Sequence, residues 1–134
     1  MTDLTLICEG CRWPVLGDTG SLYVRLGEVM AAQVAQRDWD AARSEGTAVD
    51  VTELIALPDD VRWRAAHDVC RSDHAQGCYE IDAPQIAEWP HVARWTAHLM
   101  AKNWLTLTDW DDVLRELSGE TPAKRIRVTA RAAA

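Results

Sequence analysis

The sequence predicts an α+β domain, mostly helical, with a small β-hairpin near its beginning packed on a helical body. Three observations predict it. Leu4 to Ile7 and Leu22 to Leu26 read as short strands separated by Pro14 and the turn Gly17-Asp18-Thr19-Gly20. The stretch EVMAAQVAQRDWDAARSEG is rich in helix formers and ends at Gly46, a glycine stop. From Pro84 onward, apolar residues recur at helical spacing.

Taken in order, the two strands place the Cys8-Glu9-Gly10-Cys11 segment beside or within a hairpin. The helix from Glu28 follows, with Val29, Met30, Val34 and Ala41 in an imperfect amphipathic pattern. Thr52 caps a short helical turn that Pro58 ends, and Asp59 or Asp60 can cap a helix over DVRWRAAHDVC towards Cys70. A loop RSDHAQG leads to CYEI, a short strand. In HVARWTAHLMAKNW, residues Val92, Trp95, Leu99 and Met100 share helical spacing. In TDWDDVLREL, Thr108 and Asp111 form a capping-box-like start, and Trp110, Val113, Leu114 and Leu117 one apolar face. Residues 1–118 are expected to form one domain, and residues 119–134 a basic, loosely ordered tail carrying Lys124, Arg125, Arg127 and Arg131.

The 134 residues, 48% apolar and 26% charged, are those of a globular domain with a real core. Seven Trp and no Phe mean that tryptophan fills core positions or interfaces. A net charge of −7 disfavours a general nucleic-acid binder, because phosphate backbones reward positive charge. The opening Met1-Thr2-Asp3-Leu4 has no signal-peptide character, and no run approaches the roughly 20 apolar residues of a membrane span. The expected location is cytoplasmic, where structural disulfides are disfavoured and four cysteines point to metal or thiol chemistry.

A redox Cys-x-x-C needs a helix N-terminus to lower its thiol pKa, whereas Cys11 is followed by Arg12-Trp13-Pro14 and a glycine turn. A structural Zn²⁺ fits better. Two thiolates at this spacing can grip one tetrahedral ion from a tight turn, and Gly10 lets the backbone fold sharply. His67 and Cys70 supply the second pair, which a helix would present on one face; His74 and Cys78 are the alternative donors. Against this stands the ordinary tendency of cysteine to be buried without function.

The pattern CEGC … RWRAAHDVC … YEI … WTAHLMAKNWLTLTDWDDVL resembles small uncharacterised zinc-finger-like (treble-clef-like) proteins of actinobacteria and their phages or mobile elements. The resemblance covers most of the chain. It implies metal ligands at Cys8, Cys11, His67 and Cys70 and supplies no activity. In a treble clef the second pair sits at a helix start, whereas in this sequence it reads as a helix end.

Catalytic signatures are missing: no H-x-E with P-C-x-x-C, no H-E-x-x-H, no phosphate-binding glycine loop, no G-x-S-x-G. The chain is therefore expected not to be an enzyme. His91, Arg94, His98 and Lys102 form a basic stripe on one helix, a solvated face or a contact surface. With Trp104 expected to stay partly exposed beside it, Arg94, His98, Lys102 and Trp104 are the candidate partner-binding residues. The leading expectation is a zinc-stabilised adaptor that contacts a protein partner. A small DNA-binding regulator using the stripe and tail is the alternative.

Overall fold

The computed structural model describes residues 3–43, 59–73 and 77–129. Two small antiparallel sheets lie at its centre. The first has the order β2-β1-β6, from Pro14–Val15, Leu4–Ile7 and Ile126–Val128. The second has the order β4-β3-β5, from Arg64–His67, Gly20–Arg25 and Cys78–Asp82. Three α-helices accompany them among the described residues: α1 Leu26–Arg43, α2 Trp89–Leu99 and α3 Trp110–Ser118.

The α+β class holds, but the described residues are not mostly helical: 44% of them are helical and 24% extended. The difference lies chiefly in RWRAAHDVC. Arg64–His67 is a strand, followed by a single 3-10 turn over Asp68–Cys70. Ala65 and Ala66 are good helix formers, yet both are buried against β3, and sheet pairing from Gly20↔His67 to Tyr23↔Arg64 overrides propensity. The two N-terminal strands also do not pair with one another. β1 pairs with β2 (Ile7↔Pro14), so the Cys-x-x-C forms the turn of its own short hairpin, while β3 belongs to the other sheet.

The expected loose tail is likewise part of the fold as far as Thr129. β6 adds to β1 in the register Leu4↔Val128 to Leu6↔Ile126, and Ile126 is fully buried. Arg125 is buried too. Its guanidinium donates to Asp109 Oδ2 at 2.7 Å and through Nε to Glu116 Oε2 at 2.7 Å, with a further bond from its other terminal nitrogen to Glu116. Glu116 Oε1 also accepts the backbone N–H groups of Lys124 and Arg125, each at 2.8 Å. Arg125 thus belongs to a buried ion network, while Lys124 and Arg127 are exposed.

At the centre of the core lies Trp63, fully buried. It meets Trp110 edge-on at 5.0 Å between ring centroids, with Tyr79 and Trp104 slightly further away. Its indole N–H donates to Thr108 Oγ1 at 3.0 Å and its backbone N–H to Asp109 Oδ1 at 2.7 Å, so both polar groups are satisfied. Thr108 therefore does not cap α3; Asp109 precedes the helix, without a side-chain capping bond. Gly119 ends α3 in the left-handed conformation (φ 83°). The helical turn expected around Thr52 lies outside the described residues.

Candidate metal centre

Cys8, Cys11, His67 and Cys70 meet: their ligand atoms all lie within 4.8 Å of one another. Cys8 comes directly after β1, and Cys11 belongs to the turn beyond it. His67 is the last residue of β4, and Cys70 the last of its 3-10 turn. Both halves are thus built alike, a strand running into a tight turn with two donors. The helix expected to present His67 and Cys70 does not exist, and with it goes the helix-borne half of a treble clef.

Each turn has a local cause. In the first, Arg12 N–H bonds Cys8 O at 2.8 Å and Cys8 N–H bonds Trp13 O at 3.0 Å, closing the loop. That closure holds Arg12 at φ 67°, a left-handed conformation that costs a non-glycine residue about 1–2 kcal/mol. In the second, Arg71 N–H returns to Asp68 O at 3.3 Å, and Asp68 N–H bonds Thr19 O at 2.9 Å. The halves are held together by Glu9 N–H to Ala65 O at 2.9 Å. They approach so closely that a Cβ on Gly10 would stand 3.2 Å from Cys70 Cβ.

The histidine is oriented for ligation. Nε2 lies 3.1 Å from the carbonyl oxygen of Pro14, which can only accept, so Nε2 carries the proton. Nδ1 is left with its lone pair facing the sulfurs, 3.3 Å from Cys11 Sγ and 3.9 Å from Cys70 Sγ. A backbone carbonyl on the far ring nitrogen is the usual outer support of a metal-bound imidazole.

The thiols are electrostatically unequal. Burial pushes the Cys8 thiol up, but N–H groups of Cys11, His67 and Gly10 aimed at the sulfur outweigh it and bring its pKa down to about 6. The Cys70 thiol is pushed up to about 11, first by its hydrogen bond to Cys8, then by desolvation and the sulfur of Cys11. Cys8 is fully buried, whereas Cys11 and Cys70 are exposed at the rim.

This donor set fits a metal ion. Tetrahedral zinc–thiolate bonds of about 2.3 Å put ligand atoms roughly 3.7 Å apart, within a small contraction of the geometry present. A disulfide-exchange role is disfavoured because the chain runs from Cys11 into a strand and not into a helix N-terminus. Cys78 stands apart from the cluster on β5, its sulfur accepting a bond from Arg71 at 3.4 Å, and burial raises its thiol pKa. His74 lies outside the described residues.

The candidate partner-binding residues are more dispersed. Arg94 and His98 are exposed on α2, with His98 edge-on to Trp95. Lys102 sits 5.7 Å above the Tyr79 ring. Trp104 is half-buried and stacks on the core, 5.5 Å from Tyr79 and 6.4 Å from Trp63. Sequence reasoning missed a cationic concavity beside the Cys/His cluster, because its arginines are scattered from Arg12 to Arg71. The alternation of Arg62 and Arg64 was the one signal available, and it is visible only once that segment is read as extended.

No protein-family model, curated protein or solved structure matches the chain. No helix among the described residues is long and apolar enough to cross a membrane.

Proposed function

We propose that the chain is a non-enzymatic binding module whose fold is clamped by one structural Zn²⁺ held by Cys8, Cys11, His67 and Cys70. The observation that carries this is the convergence of three sulfurs and one correctly protonated imidazole from two separate sheets. Sulfur-rich tetrahedral sets of this kind suit zinc over hard cations. Four protein donors complete the tetrahedron, so no position is left to activate a water, and the ion serves architecture. A reducing compartment keeps the thiols available. The partner is a protein, engaged through the exposed face of α2 formed by Arg94 and His98, with Lys102 and the edge of Trp104 beside it. Support for that face comes from the exposure of both Arg94 and His98 on one side of the helix, four residues apart.

Metal analysis of protein purified without a histidine tag tests the centre. One zinc per chain, lost in Cys8→Ser and in Cys70→Ser, is the expected result. A stoichiometry near zero in freshly purified reduced protein overturns it. Partner capture with and without Arg94→Glu/His98→Glu tests the surface, and unchanged capture removes this face from the proposal.

A further inference from the structure

Beside the metal ligands, a cavity of about 400 Å³ is lined by Arg12, Arg25, Arg62, Arg64 and Arg71. Among the described residues only two carboxylates, Glu9 and Asp73, line it with them. In a protein of net charge −7, five guanidinium groups around one concavity is a local inversion of charge.

The arginines divide into two sets. Arg25 and Arg71 form the floor. Both bond buried Asp73, at 2.7 and 3.0 Å; Arg71 also pairs with Glu80 and lies 3.8 Å over the Tyr23 ring. Their positions are fixed by these contacts. The other three are loosely held. Arg62 is half exposed and reaches Glu9 only at 3.9 Å, and Arg64 is shared between Glu9 at 3.5 Å and Glu28 at 3.6 Å. Arg64 Nε is buried with no hydrogen-bond partner among the described residues. Arg12 is exposed and pairs with no carboxylate among the described residues.

Glu9 is the informative group. It lies between the two cysteines of the first turn, and two guanidinium groups converge on its carboxylate without reaching good bonding distance. It occupies the place of an anion and satisfies the surrounding donors poorly. Arginine forks match a phosphoryl group in shape and in charge, and two or three together favour a dianion over a single carboxylate.

We propose that this cavity is a binding site for a phosphate monoester or inorganic phosphate, recognised by Arg62, Arg64 and Arg12, with Glu9 as the internal group the ligand displaces. The acidic remainder of the molecule disfavours long polyanions, so the ligand is a small phosphorylated molecule and not a nucleic acid. The cluster of Cys8, Cys11, His67 and Cys70, which reaches the cavity through Cys70, would change this balance by no more than one charge with a dication bound. Metal content is measured separately, so failure of the zinc proposal and failure of this one are distinguishable.

The test is isothermal titration of the purified protein with inorganic phosphate, with phosphoserine and with a single-stranded oligonucleotide, at constant ionic strength. Saturable binding of phosphate or phosphoserine is expected. Arg62→Gln, at a half-exposed position, should weaken it about tenfold, and Glu9→Gln should strengthen it several-fold; circular dichroism checks that both variants fold. Phosphate saturating while phosphoserine does not would identify free phosphate as the ligand; phosphoserine binding more tightly would identify a monoester. The proposal is overturned by no saturation up to tens of millimolar, by affinities unchanged in both variants, or by binding of the oligonucleotide alone.

Discussion

Pro14 and His67 meet across the two sheets: the carbonyl of one accepts the Nε2–H of the other at 3.1 Å. Because that carbonyl belongs to β2, the first hairpin dictates which imidazole nitrogen faces the sulfurs. The expected consequence is an S₃N centre bound through Nδ1. Cobalt-substituted protein should show thiolate-to-metal charge transfer that falls in Cys8→Ser, Cys11→Ser and Cys70→Ser alike. His67→Ala should retain the charge transfer but weaken metal binding well beyond the 10–100-fold typical of losing an outer support. Intact affinity in His67→Ala would remove that residue from the ligand set.

The inequality of the thiols predicts their reactivity once metal is stripped. Cys8 is a thiolate above about pH 6, but it is fully buried. Cys70 is exposed, but its proton is held up to about pH 11. Cys11, exposed at the rim, should therefore be alkylated first at pH 7.5, with Cys8 and Cys70 slower for opposite reasons. Peptide mapping after timed alkylation gives the order.

Metal binding must expel the proton from Cys70, so zinc affinity falls as pH falls. In the metal-free chain the lowered Cys8 value acts in the same direction. Its stabilising contribution is present above the unfolded thiol pKa near 8.5 and is lost as pH falls through about 6. Zinc release followed with a chromophoric chelator should accelerate steadily below pH 7. A release rate flat from pH 8 to 5 would contradict the proton linkage.

Gly20 is where the sheet and the centre interlock. A Cβ there would stand 2.3 Å from Ala66 O and 2.9 Å from His67 Cα, both backbone atoms. Gly20→Ala must push β4 away, and should cost on the order of 3 kcal/mol while weakening zinc binding through His67. Gly27 has open space around its Cβ position, so Gly27→Ala is the control, neutral or stabilising by up to ~1 kcal/mol. Chelator-dependent thermal melts of the two variants separate the effects.

How much of the structure was legible in the sequence depends on the range of the interactions involved. The Cys-x-x-C turn, the strand over Cys78–Asp82 and the apolar face of Trp110, Val113 and Leu117 rest on local spacing, and each is present. The grouping of Cys8, Cys11, His67 and Cys70 was legible because sulfur and imidazole chemistry restricts the choice, although a strand and a 3-10 turn, not a helix, present His67 and Cys70. The Ala-Ala pair favours a helix locally, and nothing near it in sequence announces that β3 waits to pair with it. The C-terminal strand was hidden for the same reason. Its basic residues look solvated until Glu116 and Asp109, many positions earlier, are seen to bury Arg125.

That network makes its own prediction. Arg125→Met leaves Glu116 and Asp109 buried without their cation, and removing one partner of a buried pair typically costs about 3–5 kcal/mol. Arg125→Met/Glu116→Gln should recover part of that loss, because one buried charge is removed with the other. Deleting residues 119–134 should prevent stable folding, since β1 would lose β6 and its pairing from Leu4 to Leu6. A truncated chain melting like the full one would restore the idea of a dispensable tail.

The last prediction concerns the tryptophans. Trp63 and Trp110 are almost wholly buried and bonded through their indole N–H groups to Thr108 and Thr96. Trp95 and Trp104 are half-buried; each packs on Tyr79, and Trp95 also donates to Gln85 O at 3.0 Å. Truncating a buried Trp to Ala typically costs ~3–5 kcal/mol. Trp63→Ala and Trp110→Ala should reach that range, the former leaving Thr108 Oγ1 without its indole donor as well. Trp95→Ala and Trp104→Ala should lose roughly half as much, because part of each ring is already in contact with water. Trp104 is thus a half-buried ring that supports the core through Trp63 and Tyr79. Its substitution should lower partner affinity only together with stability, whereas Arg94→Glu/His98→Glu, at exposed sites, should lower affinity with Tm unchanged. Thermal melts paired with partner binding decide the matter: a Trp104→Ala variant that melts normally yet loses the partner would place the contact on the ring itself.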